Sequence, residues 1–290
     1  MLYMFKISIG SLALGLVLGA ILAPVFPTQA ETVLFADTFN RADSRNVDAT
    51  LTGITDNTGE GFAGDDVYTH AFIDPNNAPP AYGVQDGSAG NGGGAQISGN
   101  TLQLAVGAGT SDAFINHNFT NASILASGGF SVSVDITTVN QSSTGQGGSF
   151  AVGMSLAEAQ SCEDAYSGAH RYQSAFANAI GDSVPMQIVS DFWVALRADG
   201  ALVWGGAPGT IITGVTGLSK TGTIKVDFFC SGFNSGSLVN YEMFYNGASK
   251  GTGSFTWSGP GENYLVLDAR DNTAVGFDKA PRRGAACRRK

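Results

Sequence analysis

Charge is scarce in this 290-residue chain, where Asp, Glu, Lys and Arg make up only 13% of residues. That is too little for a coiled coil or a charged disordered tail, both of which need dense charge. Histidine occurs only at His70, His117 and His170, without a metal-ligand spacing. Cysteine occurs only at Cys162, Cys230 and Cys287, and no spacing among them fits a zinc site. Several catalytic motifs are missing too. There is no Gly-x-Ser-x-Gly elbow, and "NGGGAQ" has neither a lysine nor a following helix to cradle phosphate. The Glu-x-Asp-x-Glu strand that places two carboxylates on one sheet face is absent. "QIV" at Gln187–Val189 lacks the histidine that sandwich polysaccharide lyases carry there. Helical periodicity is nearly absent as well. Only "SLAEAQSCEDAY" has a helix start, with Ser155 and Glu158 at capping-box spacing.

What is present is apolar residue and glycine. With 43% hydrophobic residues the chain can bury a sizeable core, and 40 glycines supply many tight turns. The first 30 residues have the order of a secretory leader: Lys6, then an apolar run from Ile7 to Phe26, then "PTQA" before Glu31. The run is long enough that an uncleaved membrane anchor is the alternative. Between Glu31 and Asp278 there are 24 acidic residues against 8 basic ones, while the last twelve residues hold 6 basic ones. An acidic body repels phosphate, so nucleic acid is excluded as a partner. It suits a hard divalent cation, Ca²⁺ above all.

Alternating strands recur along the body. In "GFSVSVDIT" Phe130, Val132, Val134 and Ile136 share one face, opposite Ser131, Ser133, Asp135 and Thr137. Further runs are expected at Val33–Phe39, taken as an edge strand, and at Thr101–Val106, Ser149–Met154 and Gln187–Leu196. Others fall at Thr223–Phe229, Val239–Tyr245 and Tyr264–Asp268. "ADGA" and "YNGA" read as two-residue hairpin turns. Close-set strands without long helices indicate an all-β, two-sheet antiparallel sandwich over 31–278. The leader at 1–30 precedes it as a signal helix, a Gly/Pro/Asn-rich loop region occupies 56–100, and a basic tail follows at 279–290.

The segments "DTFNRADSRNVDATLTGITDNTG", "NGGGAQISGNTLQLAVGAGTSDAFINHNFTNASI" and "GGFSVSVDI" resemble bacterial secreted proteins with a concanavalin A-like, laminin-G-like jelly roll. Many of these are sorted to the surface by a C-terminal PEP-CTERM signal. The resemblance implies a secreted or cell-surface jelly roll associated with sugars or matrix. "VGFDKAPRRGAACRRK" departs from that group by reaching its basic cluster without the usual apolar helix.

Candidate sites follow from the residues. In "DFWVALRADGALVWGG" a two-residue Asp199-Gly200 turn would set Ala195 opposite Trp204. Trp193, Arg197 and Trp204 would then share an exposed face able to stack on pyranose rings. A covering loop or helix is the plainer alternative, and Trp257 is a third aromatic candidate. Asp37 and Asp278 could meet at paired terminal strands and hold Ca²⁺, with Asp268 and Asp271 near that edge. Capping of backbone amides explains such residues equally well. His170, in "AHRYQ", is the histidine best suited to acid–base work. Cys162 and Cys230 would pair in an oxidising compartment, with two free thiols as the alternative. The function expected is therefore a secreted, non-enzymatic sandwich binding a glycan or extracellular matrix. The alternatives are a carbohydrate-active enzyme of the same fold and a structural surface or biofilm-matrix protein. Membrane contact is expected only through an uncleaved leader.

Overall fold

The computed structural model describes residues 2–3, 5–9, 32–44, 47, 49–58, 67–73, 95–104, 109–137, 147–163, 173–174, 187–206, 210–259 and 261–271. Two seven-stranded antiparallel sheets dominate. The first runs, edge to edge, β18 (Ala248–Thr256), β17 (Leu238–Tyr245), β16 (Gly222–Cys230), β9 (Gly129–Ile136), β2 (Phe5–Ile9), β3 (Thr32–Asp37) and β4 (Ile54–Asp56). The second runs β15 (Thr210–Val215), β14 (Leu202–Gly206), β13 (Phe192–Arg197), β10 (Gly147–Met154), β19 (Tyr264–Asp271), β8 (Gly109–Ile115) and β5 (Tyr68–Ile73). A small sheet of β1 (Leu2–Tyr3), β7 (Leu102–Leu104) and β6 (Ala95–Ile97) accompanies them, as does a short parallel pair of β11 (Gln173–Ser174) and β12 (Gln187–Ile188). Among the described residues the helices are α1 (Ala122–Ala126) and α2 (Leu156–Glu163).

The sheets face each other because each strand offers an apolar row at period two. From the first sheet come Val132 and Val134 on β9 and Val226 and Phe228 on β16. From the second come Phe150, Val152, Val194, Leu196 and Leu267, all in one buried cluster. Aromatic rings bridge the layers: Phe192 meets Phe228 edge-on at 5.2 Å and Tyr241 at 4.8 Å. A second apolar cluster lies on the other face of the second sheet, where Trp193, Ala195, Val203, Tyr264 and Val266 gather with Ala159 and Leu156 of α2. The second sheet is thus apolar on both faces, and the first on one.

Local signals explain several elements. Asn246-Gly247 closes β17 and β18 as a two-residue turn, with φ of 50° and 78° and Tyr245 paired to Ala248. The capping box forms at α2: Ser155 N–H donates to Glu158 Oε2 at 2.7 Å, and Glu158 N–H donates to Ser155 Oγ at 3.2 Å.

Three expectations need correcting. The strand near Val33 is not an edge, because β3 lies between β2 and the three-residue β4. The 56–100 region is not all loop, since it contains β5 and β6. The start of the expected leader is not helical either. Phe5–Ile9 is a strand inside the first sheet, paired with β9 on one side and β3 on the other.

Candidate functional site

The β13–β14 hairpin decides where the tryptophans go. Its loop has three residues, Ala198, Asp199 and Gly200. Arg197 N–H donates to Ala201 O at 2.8 Å, and Gly200 N–H donates back to Arg197 O at 3.0 Å. Gly200 sits at φ 78°, the left-handed position that this turn requires. The register is therefore Leu196 with Leu202, Ala195 with Val203 and Val194 with Trp204. That is one residue off the two-residue expectation, and a slip of one moves every β14 side chain to the opposite face.

The expected Trp193/Trp204 pair is accordingly split. Trp204 enters the inter-sheet core, where its Nε1–H donates to Tyr241 Oη at 3.0 Å. Burial raises the Tyr241 pKa, and the indole donor partly offsets that rise. Gly214 makes room for the indole, since a Cβ there would stand 1.5 Å from its Cζ3. Trp193 faces the other way, fully buried in the cluster beneath α2. Arg197 ion-pairs with Asp199 of its own turn at 2.9 Å. Trp257 is buried against Phe233 and Phe255. None of these aromatics offers a free stacking face.

Asp37 is committed elsewhere as well. It is 0% exposed and accepts from Arg41 twice, at 2.8 and 2.7 Å, from Phe39 N–H at 2.7 Å and from Tyr68 Oη at 3.0 Å. Arg41 also donates to Val47 O at 2.8 Å and Thr52 O at 3.2 Å. "DTFNR" is thus a clasp that folds the following loop onto β3. It holds Phe39 at φ 51°, a conformation that needs such support in a bulky residue. This carboxylate accepts from four donors, two of them from a guanidinium, and is engaged within the fold. Asp278 lies outside the described residues, as do the side chains of Asp268 and Asp271. Among the described residues, no group of three or more His, Cys, Asp or Glu could hold a metal ion.

Cys230 is a free, buried thiol at the end of β16, so the expected Cys162–Cys230 bridge is not formed. Its side chain points into the core, and burial pushes its pKa up to about 11. The Cys162 side chain, His170 and the His70 side chain lie outside the described residues. His117 is buried, its ring 4.6 Å from that of Phe119.

Among the described residues, Asp191 has a perturbed carboxyl; it accepts from Ser258 N–H at 2.9 Å and lies against Gly153. Burial raises its pKa to about 6 against the lowering effect of Ser258, and Glu158 adds a smaller push upward. At 3% exposure it fits a loop anchor better than a group that meets substrate.

An open polar surface does exist, on the outer face of β16, β17 and β18. Ladder register places Lys225 beside Phe244, Asp227 beside Glu242, and Phe229 beside Asn240. Glu242 in turn faces Thr252, and Asn240 faces Ser254. The β16 side of this face is knitted together. Lys225 pairs with Asp227 at 2.8 Å, Ser131 donates to Asp227, and Thr223 donates to Asp135. The Lys225 ammonium also lies 5.4 Å from the centre of the Phe244 ring. Towards β18 the face opens, with Asn240, Thr252 and Ser254 exposed and Glu242 and Phe244 half-buried. Two carboxylates directly opposite each other cost stability. Asp227 has countercharge and hydrogen bonds, and Glu242 faces outward beside it. Sequence reasoning missed this cluster because its members come from three strands, and only ladder register joins them.

Compared with models of known protein families and with curated proteins, the chain matches none.

Proposed function

We propose that this chain is an exported, non-enzymatic β-sandwich of the concanavalin A-like jelly-roll kind that binds a glycan or another extracellular-matrix component. The binding face is the outer side of β16–β18. The observation that carries this reading is the row of Asn240, Glu242, Thr252 and Ser254 set beside Phe244 on one face of the sheet. Amide, carboxylate and hydroxyl groups exchange hydrogen bonds with sugar hydroxyls, and the ring offers an apolar patch to a pyranose face. Leader order, acidic body and the resemblance to secreted sandwich proteins support the compartment. A glycan array probed with the full chain tests the proposal. Wild type binds a subset of glycans, and Glu242→Ala and Asn240→Ala each weaken binding about tenfold, the size of one well-made polar contact, with the melting temperature unchanged. No binding to any glycan, or binding by both variants equal to that of wild type, refutes it.

A carbohydrate-active enzyme on the same face is the second reading, with half-buried Glu242 as its one accessible carboxylate, since Asp227 opposite it is buried and held by Lys225 and Ser131. Release of reducing ends from a polysaccharide panel, lost in Glu242→Gln, would replace the first reading with this one.

A further inference from the structure

The strand Phe5–Ile9 occupies a position that the rest of the sheet does not fill. It pairs with Ser131, Val132, Ser133 and Val134 of β9 and with five residues of β3 between Thr32 and Asp37. Without it the first sheet divides into β18–β17–β16–β9 and β3–β4. Both walls of the resulting gap are anchored independently of β2. On one side β9 is laddered to β16 along its whole length, and its Val132 and Val134 belong to the core. On the other, β3 is tied to the opposite sheet through Tyr68, which donates to Asp37, and its Phe35 packs edge-on against Tyr68 and Phe119. Two fixed strand edges flank one strand's width, so each presents unpaired N–H and C=O groups whenever β2 leaves.

The occupant is also the segment most able to leave. It belongs to a leader-like sequence and joins β3 through residues 10–31, so a cut at the small-residue site before Glu31 would leave it without a covalent link to the body. Its register sets Phe5 and Ile7 opposite the core-facing Val134 and Val132, and Lys6 and Ser8 opposite Ser133 and Ser131. We propose that the gap between β3 and β9 is a strand-accepting site, filled in cis by Phe5–Ile9 and able to take an extended segment of another polypeptide with apolar residues at alternate positions. Recognition is by main-chain pairing to both walls, with the alternation setting register. The inference is independent of the glycan-binding face.

The test uses the full chain with a protease recognition sequence placed between Gly10 and Glu31. After folding and cutting, the N-terminal fragment is expected to co-elute with the body. A labelled peptide of residues 4–10 in excess then replaces it, and a peptide carrying Ile7→Pro enters about tenfold less, because a strand flanked on both sides engages every N–H and proline has none. A fragment that separates at once, a peptide that does not enter, or equal entry by both peptides overturns the proposal. A second measurement needs no cut. In full-length Ile7→Pro, hydrogen exchange is expected to accelerate in β3 and β9 while β17 and β18 keep their protection, and unchanged protection in β3 and β9 would also overturn it.

Discussion

Removing one side of the Asp37 clasp should be among the most damaging single changes in the molecule. Arg41→Ala deletes both guanidinium bonds to the carboxylate and those to Val47 O and Thr52 O. It leaves Asp37 at the foot of a 0% exposed site with only Phe39 N–H and Tyr68 Oη as donors. Breaking a buried pair on one side costs about 3–5 kcal/mol, because the remaining charge has lost its compensation. At this chain length that corresponds to a fall of about 10 °C in melting temperature. Urea unfolding followed by tryptophan emission reads the change directly, since Trp193, Trp204 and Trp257 are all buried and shift on exposure. Removing both partners, as in Asp37→Leu with Arg41→Met, should recover part of the loss, since no uncompensated charge remains. A loss below about 1 kcal/mol for Arg41→Ala, the size of an exposed surface pair, would refute the clasp.

Three further outcomes are expected. Asp191 holds its proton up to about pH 6 in the fold but only to 3.8 when unfolded, so its contribution to stability is present below pH 3.8 and lost as pH rises through 6. The loss reaches up to about 3 kcal/mol, and Asp191→Asn should flatten this window in urea titrations run from pH 4 to 7. Gly214→Val should lower the melting temperature by several degrees and expose Trp204 to acrylamide quenching, because the new Cβ overlaps the indole. In a Cys162→Ala/Cys287→Ala variant, a thiol reagent should find no reactive group in the native protein and one equivalent after denaturation, since Cys230 is buried and free. Native reactivity would contradict its placement.

How far the sequence could be read depended on whether the deciding contact was local. The Phe130–Ile136 strand, the Asn246-Gly247 turn and the Ser155/Glu158 box are local, and each appears as expected, except that Ser131 and Ser133 on the strand's polar face are buried as well. β8 ("GTSDAFI") and β18 ("ASKGTGSFT") have too few apolar residues to show a period, and neighbouring ladders hold them as strands. Asp199-Gly200 serves two-residue and three-residue hairpins equally well, because both place glycine in the left-handed region. That single undetermined residue reversed Trp204 and removed the expected stacking face. Asp37 met a similar limit. Arg41, four residues on, was in view, whereas Tyr68 comes from the opposite sheet. The Asp227–Glu242 tier needs the β16–β17 register, which no local pattern states.

The most direct measurement of where the protein binds is a hydrogen-exchange footprint with an oligosaccharide selected from the array. Added protection confined to β17 and β18, with β13 and β14 unchanged, is the result that the Glu242 face predicts. Protection centred on the Trp193–Trp204 hairpin, with β17 and β18 indifferent to ligand, would contradict it.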